Sequence, residues 1–439
     1  MTPYYPRLCA MMFLQFGVYG LWLPIAGRFL TSSPTTGGLG FTESQSGAIV
    51  GFAAAIGAMC APFITQFADR RFAAQKFLGI LMIIGGALKI ITYYQTSLVA
   101  WITLSIAFTL LFMPCAAICN AIPMRHLDNP QRQFPGVRMW SAIAWVTVGW
   151  TFSYVMLTRN PSLHFLPPFF KGEPVSMPGA AMLTSVLWSG GLAMIYGVLA
   201  YFFGPPTPPV VKPNERKTST LAQAVALLKI RSFAVMLGVT LVMSALHVIY
   251  FMQCAKFLSA AGLHDAYIMP AMAIGQLCEI AMYLVLGRVL PRFGFRTIIA
   301  TGIVFFVIRF LVLGTVGLPL WIMVAAQAFH GLCYAFFFSA CFIYTDKVAP
   351  PEIRNSAQSV YNFVFYGLGP ITAVGLNSFL ATRHAAGGKI LALQDFAGFW
   401  YSLAALALVS LFAFMIWFRP ETKPGATEGL PKLSGARAN

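Results

Sequence analysis

Twelve times along its 439 residues the chain runs for about twenty or more predominantly apolar residues before charge, proline or glycine interrupts it. A helix rises 1.5 Å per residue, so about 20 such residues cross the ~30 Å hydrocarbon core of a bilayer. Within that slab only helices and closed barrels satisfy their own backbone hydrogen bonds. The runs lie at 7–30, 44–67, 75–95, 97–120, 138–158, 178–204, 232–258, 266–290, 296–316, 319–345, 356–381 and 392–418. Composition agrees, with 58% apolar and 9% charged residues against roughly 25% charged in a soluble domain. Such a chain cannot coat itself with a water-facing surface, which excludes a soluble enzyme. The first run follows Arg7 alone, is too long for a signal-peptide core and lacks a small-residue cleavage site, so it is expected to stay as a span. The fold class is an all-α polytopic membrane protein with twelve transmembrane helices.

Between the sixth and seventh runs lies a polar, proline-rich stretch beginning Pro205-Pro-Thr-Pro-Pro. Such composition marks a linker. It divides the chain into a six-helix half at 1–204, a cytoplasmic linker at 205–221, a second half at 222–418 and a cytoplasmic tail at 419–439. A faint repeat supports two equivalent halves. Lys76 opens the third run and Lys89 follows thirteen residues later; Arg296 opens the ninth and Arg309 follows at the same interval. Third and ninth spans are equivalent when the second half repeats the first in parallel orientation.

The net charge of +17 follows the runs rather than a polar domain. With the N-terminus inside, 21 of the 29 Lys and Arg fall on the inner side, six outside, and Lys89 and Arg309 within spans. The positive-inside rule then places both termini in the cytoplasm, and no nucleic-acid partner is needed to explain the charge. Lys89, near the outer end of its span, is expected to snorkel to the interface. The eight cysteines lie in or beside apolar runs, without Cys-x-x-Cys or metal-ligand spacing, and read as buried thiols. The outer segment 159–178 reads as a connecting loop in preference to a lid.

Of the twelve acidic residues, Glu43, Glu173, Asp265 and Asp395 fall outside, and all others but one fall inside or at inner helix ends. The exception, Glu279, sits alone in mid-span. A carboxylate there is costly unless it is paired or protonated, so it is a candidate to take and release a proton. The structural alternative is a permanent pair with Arg309, whose depth lies within roughly 3 Å of it at 1.5 Å per residue. Gln276 and Tyr283 share a helix face with Glu279. His247, Tyr250 and Cys254 share one in the seventh span, His330 and Tyr334 one in the tenth, and Arg138 and Trp145 one in the fifth. Asn120 closes the fourth run, and the first holds Gln15 and Trp22. Single polar residues of this kind also serve as interhelical glue. Around a midplane cavity they suit a ligand with a flat ring and several hydroxyls. No His-Glu-x-x-His, paired intramembrane aspartates or phosphate-binding loop is present.

These residues resemble the bacterial nucleoside:proton symporters of the major facilitator superfamily. The likeness rests on Phe13-Leu-Gln-Phe-Gly-Val-Tyr-Gly-Leu-Trp-Leu23, Met113-Pro114 and Phe134-Pro-Gly-Val-Arg-Met-Trp140. It continues through Gln276-Leu-Cys-Glu279, Arg309-Phe310 and Asp346-Lys347 with Pro351-Glu-Ile-Arg-Asn-Ser-Ala-Gln358. The resemblance implies a facilitator fold of two six-helix halves, alternating access and a nucleoside site between the halves. Arg138, Gln276 and Glu279 would lead in binding, with Glu279 coupling. The sequence departs from the family pattern at Tyr334-Ala335, where an aspartate is expected second, at Ser141 and Ala142, and at His247 and Tyr250. His247 or His330 is then a candidate to replace the missing titrating group.

The expected function is import of nucleosides across the bacterial inner membrane, by a monomer using no cofactor beyond a coupling proton. The expected substrate-binding residues are Arg138, Gln276, Glu279, His247, Tyr250, Tyr334, Asn120, Gln15, Trp145 and His330. A facilitator for nucleosides, nucleobases or polyols without proton coupling is the first alternative, and a non-transporting membrane receptor the second.

Overall fold

The computed structural model describes residues 3–165, 169–209, 227–349, 354–385, 390 and 392–420. Among them, ten helices are long and apolar enough to cross a bilayer. One of these, Asp265–Gly314, has 50 residues, and Gly294 breaks it with φ 74° and ψ 166°. A side chain would strain that backbone, and glycine adopts it freely. The helix is therefore two spans, 265–293 and 295–314, turning back on each other where a charged loop is expected from Arg292 to Arg296. Pro130–Met156 is a further helix of 27 residues.

Twelve crossings result, numbered here in chain order. They are Tyr5–Thr31, Glu43–Ala68, Ala74–Tyr93, Leu98–His126, Pro130–Met156, Pro178–Phe203, Arg231–Ala260, 265–293, 295–314, Leu320–Val348, Ala357–His384 and Leu393–Trp417. Most of the expected linker (210–221) and of the expected tail (421–439) lies outside the described residues. An even number of crossings brings the start of span 1 and the end of span 12 to one face, termed the terminal face; the other is the distal face.

Local sequence explains the main irregularities. Span 1 breaks at Trp22, whose φ is −120°, just before Pro24, which has no N–H for the helical ladder. Spans 3 and 6 pack through glycines seven residues apart on each, Gly79 and Gly86 against Gly197 and Gly190. A Cβ at any of them would lie 2.6–2.8 Å from a facing glycine carbonyl oxygen, and small residues are what let membrane helices approach so closely. The fourth helix continues past Asn120 to His126, so Asn120 sits within the span instead of closing it.

Segment 159–178 is more than a connection. Thr158–Leu163 and Phe170–Pro174 pair as an antiparallel hairpin. Its Phe170 is buried, with its ring 5.6 Å from that of Tyr154 on span 5 and 5.5 Å from that of Tyr267 on span 8. Aromatic anchoring, invisible in a proline-rich loop composition, holds the hairpin on the distal face.

Candidate functional site

On span 8 one helical face carries Met269, Met272, Gln276, Glu279 and Tyr283. Met269, Met272 and Gln276 are buried, Glu279 is half-buried, and Tyr283 is 36% exposed. Burial therefore fades along that face toward the terminal side. Glu279 Oε1 accepts a hydrogen bond from the Tyr283 hydroxyl at 2.8 Å, and Ser339 Oγ on span 10 lies 3.3 Å from that hydroxyl. Arg138, half-buried on span 5, lies within electrostatic range of Glu279, Tyr283 and Tyr334. Its Nη1 lies 3.5 Å from Asn120 Oδ1, and its guanidinium sits 4.3 Å from the Phe16 ring centre. Arg138, Asn120 and Phe16 thus belong to the first six spans and Glu279, Tyr283, Ser339 and Tyr334 to the last six. A fork of donors in the first half and a carboxylate in the second lie within electrostatic range without a direct bond between them.

Aromatic rings line the deeper end. Trp145 lies 6.4 Å from Tyr19 and 5.8 Å from Phe251, ring centre to ring centre. A small cavity is bordered by Pro24, Trp145, Gly149, Phe251, Met269, Met272, Ala273 and Gln276. His247, Tyr334, Phe338 and Phe365 pack ring against ring beside it. Tyr334 opens a π-helical stretch, Tyr334–Ser339, and Phe363–Leu368 on span 11 is another. Such wide turns change the direction in which side chains leave the helix and are frequent at functional sites.

The structure separates the ten expected site residues. Asn120, Arg138, Trp145, His247, Glu279 and Tyr334 are half-buried around this region. Gln276, which borders the cavity, is buried, as are Tyr250 and His330. The Tyr250 hydroxyl donates to Gln327 Oε1 at 2.5 Å. Gln15 is fully enclosed, and neither end of its amide has a partner, so it does not line this region. Ala335, where an aspartate was expected, is also fully buried.

Three expectations about charge are corrected. The alternative Glu279–Arg309 pair is not formed: Arg309 Nη1 bonds His330 Nδ1 at 3.2 Å, and its guanidinium lies 4.1 Å from the Tyr250 ring centre. Lys89 does not snorkel; it is 3% exposed, with Nζ 3.2 Å from the centre of the Trp22 ring and 4.8 Å from that of Phe108. Glu43 is not a loop residue in water but a buried one at the start of span 2, while Glu279 in mid-span is half-buried. Glu43 Oε1 accepts from Lys256 Nζ at 2.5 Å and Oε2 from Gln253 Nε2 at 2.9 Å, and Gln253 also donates to Asn377 at 2.8 Å. All four side chains are buried.

This buried cluster joins span 2 to spans 7 and 11. Arg28 on span 1 and Asp265 at the start of span 8 make a second, partly buried pair at 3.4 Å. Gly27 leaves no room for a Cβ beside the Met252 carbonyl. Together these contacts close the distal face between the first and last six spans. Sequence reasoning missed them because Glu43, Lys256, Arg28 and Asp265 each stand at a run's edge. A Thr42–Gln45 capping box places Glu43 in the first turn of a helix, and that motif was the one available signal.

Twelve helices in this arrangement, closed at one face around a half-buried polar centre, have the major facilitator fold. The family described as nucleoside H+ symporter matches residues 4–423, and the chain belongs to it. It is thus a multi-pass membrane transporter and not an enzyme. Among its relatives, the putative nucleoside transporter YegT of Escherichia coli (strain K12) is 26% identical over 427 residues, covering 94% of this chain and 93% of the relative. The nucleoside permease NupG of the same strain is 23% identical over 439 residues, covering 94% and 95%. A crystal structure of the nucleoside transporter NupG superposes with a TM-score of 0.78 at 20% identity, over 95% of this chain and 100% of that one. A bacterial homolog of the human lysosomal transporter Spinster, inward-facing and unoccupied, gives 0.69 at 12% identity over 97% of this chain and 100% of that one. At these identities the superpositions speak to fold alone.

Proposed function

We propose that this protein imports nucleosides across a bacterial inner membrane, with its termini in the cytoplasm, and that Arg138 and Glu279 hold the substrate between the two halves. The observation that carries this reading is the placement of Arg138 on span 5 within electrostatic range of Glu279 on span 8. A guanidinium offers five donors in a planar fork and a carboxylate accepts only. Ribose hydroxyls donate to Glu279, ribose and base oxygens accept from Arg138, and Trp145, Tyr334 and Phe251 supply faces on which a base stacks.

Glu279 is also the coupling group in this proposal. Protonated, it keeps an oxygen that accepts from a ribose hydroxyl and gains an O–H that donates to a substrate oxygen, so proton and substrate strengthen each other's binding and are carried together. The fading burial along span 8 supports a state open to the terminal face, which is the cytoplasm under the positive-inside rule. Alternating access then requires 1–204 and 222–418 to rock about the site until the distal contacts part. The protein acts as a monomer here, with a proton as its coupling ion.

The test is uptake of labelled uridine and adenosine into proteoliposomes, with and without an imposed inward proton gradient. Accumulation above equilibrium that depends on the gradient is expected. Uptake that only equilibrates would replace the symporter with a facilitator, consistent with Ala335 at the family's acidic position. Binding of a nucleoside without entry would leave the receptor reading.

A further inference from the structure

Arg309 is fully buried, and no carboxylate among the described residues is paired with it. Its Nε and Nη2 have no hydrogen-bond partner. Rings of Tyr250, Phe306 and Phe310 surround the guanidinium at 4.1–4.9 Å. Its one polar bond runs from Nη1 to His330 Nδ1. Arginine has no acceptor and does not deprotonate in proteins, so Arg309 must be the donor. His330 Nδ1 is then the acceptor, and the imidazole carries its proton on Nε2. A second proton on His330 would break that bond and set two cations in contact.

The ring is fixed in orientation as well. It stacks on Tyr250 at 5.4 Å and 28°, and on His247 at 5.2 Å and 27°. A Cβ built on Gly275 would meet the His330 Cβ at 2.8 Å and Cδ2, the carbon bonded to Nε2, at 3.2 Å. The Nε2 edge therefore lies toward span 8 at Gly275, and Phe251, which borders the small cavity beside Gln276 and Trp145, meets the same ring edge-on at 5.4 Å.

We propose that Arg309 is a positioning residue that locks His330 as the neutral Nε2–H tautomer, so that this N–H is a standing donor to an acceptor atom of the nucleobase. Resting on the nucleoside reading above, this deepens it: His330 selects bases that offer a carbonyl oxygen or an unprotonated ring nitrogen, and it is not the substitute proton carrier. The titratable or charged groups around the ring are His247 and Tyr250 on span 7, Arg309 on span 9 and Tyr334 on its own span. Gly275, the residue of span 8 packed on it, is uncharged.

The test uses the full chain in lipid nanodiscs with ¹⁵N-labelled histidine, the His330 signals being identified by their loss in His330→Asn. Wild type is expected to show one protonated and one bare ring nitrogen, unchanged from pH 5 to 8. Arg309→Met is expected to give mixed tautomers or a titrating ring, whereas Arg309→Lys, which keeps a cationic donor, restores the locked form in part. A doubly protonated His330 in wild type, or an unchanged tautomer in Arg309→Met, overturns the proposal. Binding supplies the second arm. His330→Asn and Arg309→Met should each weaken uridine or adenosine binding about tenfold, and the double variant no further, because both remove one interaction. Additive losses overturn the recognition role. If wild type binds neither nucleoside, the substrate reading fails with it, while the nitrogen spectra decide by themselves whether Arg309 locks His330.

Discussion

Glu279 keeps one observed polar bond, from Tyr283, and lies within electrostatic range of Arg138 without a direct bond to it. Its carboxylate is therefore available to both proton and substrate, whereas Glu43 is consumed by Lys256 and Gln253. On the function proposed above, that difference makes Glu279, and not Glu43, the coupling candidate. Glu279→Gln keeps the shape and removes the titration. We expect gradient-driven accumulation to fall at least tenfold, with counterflow exchange of nucleoside retained in the same proteoliposomes. An unchanged response to the gradient would remove Glu279 from the coupling step.

Equivalent elements of the two halves carry equivalent devices. The matched spacing of Lys89 and Arg309 in spans 3 and 9 places each cation against an aromatic ring from the helix two spans earlier, Trp22 on span 1 and Tyr250 on span 7. A buried cation without an acid costs several kcal/mol, and a cation–π contact offsets only about 2 kcal/mol. Lys89→Met, similar in shape and uncharged, is accordingly expected to raise the melting temperature. A lower melting temperature would mean that the cation holds the span 1 break closed. Spans 8 and 10 are joined more tightly still. A Cβ on Gly331 would collide with the backbone nitrogen of Glu279, so the helix bearing Glu279 rests directly on the helix bearing His330 and Tyr334. Gly331→Val forces them apart at a cost of about 1–3 kcal/mol. Both a lower melting temperature and lost nucleoside binding are expected; binding at wild-type affinity would show that the spacing is not needed.

Across the whole molecule, the distal closure is a polar lock that alternating access has to open. Removing one partner of a buried pair leaves the other charge uncompensated, at about 3–5 kcal/mol. Lys256→Met therefore disfavours the distal-closed state shown here and shifts the population toward distal opening. A cysteine placed near the closure, such as Ala48→Cys, should then react faster with a membrane-impermeant thiol reagent from the distal side. Adding Glu43→Gln, which removes the orphaned charge, should return much of the protection. Equal labelling rates in all three proteins would show that the pair does not govern the closure.

The sequence by itself determined the twelve crossings, their near positions and the membrane environment. Hydrophobic length is a local property, and a bilayer leaves helices few alternatives. It also marked Glu279, Gln276 and Arg138, because a polar or charged group in or beside an apolar run stands out. Which charges meet was decided only by tertiary packing. Glu43 and Lys256 lie 213 residues apart, each at a run's edge where solvent was the simplest reading, and they become buried because two six-helix halves press those edges together. Gln15 and Lys89 turned inward for the same reason, since helical periodicity says which residues share a face but not which neighbour that face will meet. The separation of Glu279 from Arg309 was equally out of reach: depth along the membrane matched, and only the rotation of spans 8 and 9 sent the carboxylate toward Tyr283 and the guanidinium into an aromatic cage.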